Sequence, residues 1–165
     1  MTQIDPTTVT ALQKVVSQLR DSAPLSDSGR KALYESYAKD SLQKMLDTGA
    51  SYGEATGAPG VALATQNEEE FRAHLRVIDN DLAAQVNIVS EGTDHYFRHG
   101  EAPPPYYAWR IAVILRKHKR YDLEADFLEA FSKHFRKELG GRYAAIAERA
   151  PKARRLAETA RGTIG

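Results

Sequence analysis

Two histidines four residues apart, His95 and His99, stand beside Asp94 and Glu101. On one helical turn that spacing points two imidazoles and a carboxylate the same way, a donor set for a divalent metal and, with a bound water, for a small metal-dependent hydrolase. The sequence has no H-E-x-x-H, however, and Gly92, Gly100 and the run Pro103-Pro104-Pro105 mark the stretch from Glu91 to Pro105 as irregular. An exposed polar connection without a metal is the simpler reading, so no metal site is assigned. His74, His118 and His134 lie beside apolar stripes, where a half-buried, hydrogen-bonded imidazole is the ordinary outcome. Gly49-Ala50-Ser51-Tyr52-Gly53 matches G-x-S-x-G. That motif presents a serine nucleophile only where a buried strand turns sharply into a helix above a parallel sheet. Here an amphipathic helical pattern precedes it and more glycine follows, so the match is coincidental. No phosphate-cradling loop or dinucleotide fingerprint occurs. The reading is therefore non-enzymatic, with no catalytic residue and no cofactor.

A second kind of chemistry is carried by Arg110, Arg116, Lys117, Lys119 and Arg120, interleaved with Tyr106, Tyr107, Trp109 and Tyr121. Cations neutralise phosphates and rings stack on bases, so Arg110, Lys117, Lys119 and Arg120 form a candidate nucleic-acid patch. Acidic neighbours at Asp122 and Glu124 and a pI near 8.0 favour the alternative of a solvated helix face. Residues 1–109 carry 9 Lys+Arg against 15 Asp+Glu, and residues 110–165 carry 14 against 7. Opposite fields of that kind either pack the two parts together or give each its own partner.

The elements that must hold these groups read as helices throughout. Asp5 before Pro6 is a cap followed by proline at the first helical position, and Val9, Leu12, Val16 and Leu19 follow at spacings of three and four. Beyond Ser22-Ala23-Pro24, the residues Leu33, Tyr34, Tyr37, Ala38, Leu42, Met45 and Leu46 trace an apolar stripe ending at Gly49, a left-handed cap. Asn67 is read as the cap of one long helix, about 35 Å, running from Glu68 to Val89. The glycine-punctuated stretch from Thr48 to Gly60 is a loop. Further helices are expected from Pro105 to Lys117, from Asp122 to Leu139 with Leu123, Phe127, Leu128, Phe131 and Phe135 inward, and from Arg142 to Thr159 with Tyr143, Ile146 and Leu156 inward and a kink at Pro151.

The 165 residues, 42% apolar and 27% charged, suffice for one domain with a sizeable core. Absence of cysteine excludes disulfide scaffolds, thiolate metal centres and cysteine nucleophiles. The longest uninterrupted apolar run, Ile111 to Leu115, is far short of a membrane span, and the first twenty residues contain no leader-like run. A soluble, cytoplasmic protein is expected, all-α across residues 1–165, with N-terminal helices over about 6–90 and a C-terminal hairpin and final helix over about 104–160.

The hairpin itself, Tyr106 to Phe131, resembles a single tetratricopeptide repeat. Ile111 and Ala112 stand at the family's large-then-small pair, Leu115 where it usually has Tyr, Tyr121 at the start of the second helix, Leu128 at the packing aromatic and Phe131 near the end. Glu124 departs from the preferred alanine, so either the helices separate there or the register moves to Ala125. No second copy follows at a 34-residue spacing, and the other helices must cover the unit. The resemblance implies recognition of a protein or peptide partner, including self-association into a homo-oligomer, on the first helix of the hairpin. Tyr106, Trp109, Val113 and Arg116 would line that surface. The competing reading of Trp109 is that it covers a neighbouring helix.

Overall fold

The computed structural model describes residues 3–51, 55 and 68–164. Among these it contains seven α-helices and no strand: α1 (Pro6–Asp21), α2 (Asp27–Thr48), α3 (Glu68–Ile78), α4 (Leu82–His99), α5 (Pro105–Lys117), α6 (Tyr121–His134) and α7 (Gly141–Ile164), with a 3-10 turn at Lys137–Leu139 before α7. The chain is an all-α helical bundle.

Local chemistry explains most boundaries. Asp5 accepts the Thr7 amide at 3.2 Å ahead of Pro6, and Ser26 accepts the Gly29 amide at 3.0 Å to open α2. Gly49 and Gly100 close α2 and α4 in the left-handed conformation, with φ of 69° and 74°. The tight α5–α6 turn is a Schellman motif: the Arg120 amide reaches the Leu115 carbonyl at 2.9 Å and the Lys119 amide the Arg116 carbonyl at 3.0 Å. Lys119 itself takes the left-handed position, with φ 57°.

Helix α6 is the centre of the core. Phe127, Leu128 and Phe131 are wholly buried on it, and α1 brings Leu12, Val15, Val16 and Leu19 against this layer. From the other side α7 presents Ile146, Ala150 and Ala153, whose small side chains let the two helices lie close. Helix α4 joins α1 to α5, and α2 packs chiefly on α4.

Several boundaries differ from the periodicity. The long helix expected from Glu68 to Val89 is two helices, broken at Asp79-Asn80-Asp81, where the Asp81 side chain starts α4 by accepting the Ala84 amide at 3.0 Å. The break is held from α5: Tyr106 Oη donates to the Asp79 carboxylate, and Arg110 donates to the Asp79 carbonyl at 2.7 and 2.9 Å. The stretch beyond Glu91 is helical up to His99 rather than irregular, because Gly92 serves as a contact point: a Cβ there would stand 2.8 Å from Pro103 Cβ. Helix α6 stops at His134, not Leu139, and Leu156 of α7 is exposed while Ala150, Ala153 and Ala157 face inward. Helix α7 runs through Pro151. The proposed cap Asn67, and Tyr52 and Gly53 of the G-x-S-x-G match, lie outside the described residues.

Candidate functional site

The hairpin face is a joint with α7. Trp109 is half-buried under two guanidiniums, with Arg149 Cζ 5.0 Å and Arg142 Cζ 5.7 Å from its ring centre, and Arg142 also lies over Tyr106 at 5.5 Å. Burial and the hydrogen bond to Asp79 hold the Tyr106 phenol above its ordinary range. Val113 is likewise half-buried. Arg116 turns inward, where its Nε donates to Glu124 Oε2 at 3.1 Å and its Nη2 stands 2.9 Å from Oε1. Arg149 Nε donates to the same carboxylate at 2.6 Å. Glu124 is completely buried beside the equally buried Ala125. At this position two arginines from flanking helices neutralise a carboxylate in the core. Nothing in the sequence marks Arg149, 25 residues downstream, as its partner.

The basic patch is divided. Arg110 is committed to the α3–α4 break, adding Asn80 Oδ1 at 3.2 Å, and Arg120 forms a two-pronged pair with Asp122 at 3.2 Å. Burial alone would raise the Asp122 pKa; the Arg120 pair and the Leu123 amide outweigh it and lower the group below the usual carboxylate range. Lys117 and Lys119 remain exposed. Further along, Arg154 clamps Glu129 at 2.7 and 2.9 Å and Asp126 at 2.7 Å, so acidic α6 and basic α7 meet within one chain. These pairs all lie within residues 110–165; Arg110 with Asp79, at 3.7 Å, is the ion pair shown that joins a cation of this basic part to an anion of residues 1–109.

His95 and His99 do share one helical face, 4.8 Å apart between ring centres. Tyr37 of α2 lies against both, stacked on His99 at 4.3 Å and edge-on to His95 at 5.0 Å. His95 Nε2 bonds Glu101 Oε2 at 3.0 Å. Among the described residues no group of three or more His, Asp or Glu side chains is placed to hold a metal ion. The imidazoles instead form the seat on which α2 rests.

That seat titrates. Desolvation, then the charges of His95 and Arg98, lower the His99 pKa against the opposing pull of Glu101; desolvation also lowers His134, against the Leu19 carbonyl. A depressed pKa means that the folded chain takes up a proton less readily than the open chain, whose imidazoles titrate at about 6.5. Stability is therefore complete above about pH 6.5 and declines as pH falls through the folded values. Thermal melts from about pH 7.5 down to about pH 5 should show a falling Tm, flattened by His99→Gln. A Tm independent of pH over that interval would contradict the assignment.

Helix α2 carries exposed apolar side chains. Of this helix Tyr37 and Ser41 alone are buried, while Tyr34, Leu42 and Leu46 of its apolar stripe are 43%, 57% and 73% exposed. Tyr34, Ala38, Leu42 and Met45 border a shallow groove of about 290 Å³. The periodicity announces an apolar face without saying what covers it.

The fold and these surfaces define an all-α bundle with an internal ion-pair joint and a helix that carries exposed apolar side chains. No family model matches the chain, and no curated protein or solved structure is detectably similar to it. No described helix is long and apolar enough to cross a membrane.

Proposed function

We propose that the chain is a non-enzymatic interaction module that self-associates through α2, with the α5–α6 hairpin acting as one tetratricopeptide-like unit whose missing neighbours are replaced by α1 and α7. The observation that carries the reading is the α2 stripe, since contiguous exposed apolar side chains on a folded domain mark association surfaces. Recognition by Tyr106, Trp109, Val113 and Arg116 has less support, because α7 already lies over the indole and Arg116 serves Glu124.

A second copy of the chain is the occupant the stripe fits. Helix α2 carries four cations, Arg30, Lys31, Lys39 and Lys44, and four anions, Asp27, Glu35, Asp40 and Asp47. The same helix laid across it meets no net repulsion, and a 22-residue helix offers about 33 Å of seam. Sedimentation or light scattering of the full chain over increasing concentration should show a dimer. Leu42→Glu with Leu46→Glu should return it to monomer with unchanged circular dichroism, because both side chains are exposed. A wild-type chain that stays monomeric at about 100 μM, above the range of ordinary specific association, would refute the proposal.

A further inference from the structure

Two patterns on α2 restrict how a second copy of the chain can lie against it. Tyr34, Ala38, Leu42 and Leu46 stand four residues apart, are all exposed, and make one apolar ridge about 18 Å long. Its midpoint falls between Ala38 and Leu42. Lys31 precedes Ala38, and Glu35 precedes Leu42, by seven residues or about two helical turns, so both charges share the face of the ridge. They pair with each other at 3.9 Å, but their side chains are 75% and 66% exposed. A pair so open to water contributes little and leaves both groups available to a partner.

The second pattern lies at the carbonyl end of the helix. The last turn of α2 contains Asp47 and no basic residue. Because the helix dipole is negative there, a carboxylate is unfavourable and a cation is favoured. Asp47 accepts a hydrogen bond from Gln43 Nε2 at 2.8 Å, and among the described residues no cation pairs with it.

Orientation decides what these charges meet. In a parallel two-fold pair each residue of the seam faces its own copy, which sets Lys31 against Lys31 and Glu35 against Glu35. Like charges so placed oppose association. In an antiparallel pair centred on the ridge, Tyr34 faces Leu46 of the second copy and Ala38 faces Leu42, so the apolar ridge is covered along its length. Lys31 then reaches the carbonyl end of the second helix, beside Asp47. The two-fold repeats the contact and supplies each helix with the cation that its own last turn lacks. Lys39, near the axis, stands four residues after Glu35 of its own helix, which offsets its charge.

We propose that two copies of the chain associate with their α2 helices antiparallel, Ala38 against Leu42 at the centre and Lys31 of each copy at the Asp47 end of the other. The proposal rests on self-association through α2.

The chain has no cysteine, so single cysteines report the orientation directly. Tyr34→Cys and Leu46→Cys, both at exposed positions, are prepared as separate full chains, one of them tagged so that the products differ in mass. In the antiparallel pair position 34 lies against position 46, while the two copies of position 34 are about 18 Å apart along the helices. A bismaleimide of reach well below that separation should join the two variants when they are mixed and should join neither to itself. Self-linking of each variant without a mixed product overturns the proposal in favour of a parallel pair. A dimer by sedimentation that gives no link at all overturns it as well, because association then uses another surface. A chain that stays monomeric refutes self-association itself, a result read before any cross-linking. Asp47→Lys should weaken the dimer about fivefold by removing two exposed pairs, and adding Lys31→Asp to the same chain should restore it. Further weakening by the second substitution would overturn the contact between Lys31 and the Asp47 end.

Discussion

Glu124→Ala is expected to lower the melting temperature by about 10 °C, since removing one partner of a buried ion cluster costs about 3–5 kcal/mol and a domain of this size shifts by about 2–4 °C for each kcal/mol. The reason is what remains behind. Glu124 has no exposed surface and receives Arg116 from α5 and Arg149 from α7. Without the carboxylate two guanidiniums face each other in the joint, Arg149 with little access to water. The cluster as a whole need not be stabilising relative to an apolar joint, because desolvating three charges opposes their attraction. Replacing all three together, Glu124→Leu with Arg116→Leu and Arg149→Leu, should therefore recover most of the loss. Trp109 is the single tryptophan and lies under Arg149, so its fluorescence reports the joint directly. A single variant that melts within about 2 °C of the parent would show that Glu124 is not held as described.

This joint also shows where sequence reasoning ends. The cap that opens α1, the glycine that closes α2 and the inward face of α6 were legible because each follows from neighbours within about four residues. The partner of Glu124 was not, because Arg149 reaches it only after α7 folds back. The break at Asp79 was hidden for the same reason: the apolar period passes from Ile78 to Leu82 without interruption, and the groups that fix the kinked backbone, Tyr106 and Arg110, belong to another helix. Gly92 and Gly100 were read as breakers; Gly100 does close α4 and also admits the backbone of α2, while Gly92 lies inside α4 and admits Pro103. Glycine signals that something approaches closely or turns sharply, and only coordinates say which. The α2 stripe is the converse case, a core-like pattern with Tyr34, Leu42 and Leu46 exposed. His95 and His99 lie on one face of α4 against Tyr37 of α2, where the sequence reads as an irregular, exposed connection.

Gly100→Ala should release α2 from the bundle without melting the bundle itself. A Cβ at this position would stand 2.4 Å from the Arg30 carbonyl oxygen and 3.2 Å from its carbon, backbone atoms that a rotamer change cannot move. The left-handed φ of 74° adds about 1–2 kcal/mol for a residue with a Cβ, and overpacking about 1–3 kcal/mol more. The chain has an easier way out than absorbing both. Helix α2 packs chiefly on α4 and buries Tyr37 and Ser41 alone, whereas the α1–α6–α7 core makes no use of Gly100. Relief by detachment of α2 therefore precedes global unfolding. Amide exchange should show α2 losing about a hundredfold in protection, the equivalent of about 3 kcal/mol, while the amides of α6 keep theirs. Gly49→Ala is the matching control. Its φ is 69°, but no atom lies within 4 Å of the added Cβ, so it carries the conformational term without the collision and should leave α2 docked. Equal exchange in the two variants would mean that φ, and not the approach of Arg30, determines the outcome. Since α2 bears the self-association stripe, Gly100→Ala should also weaken dimerisation.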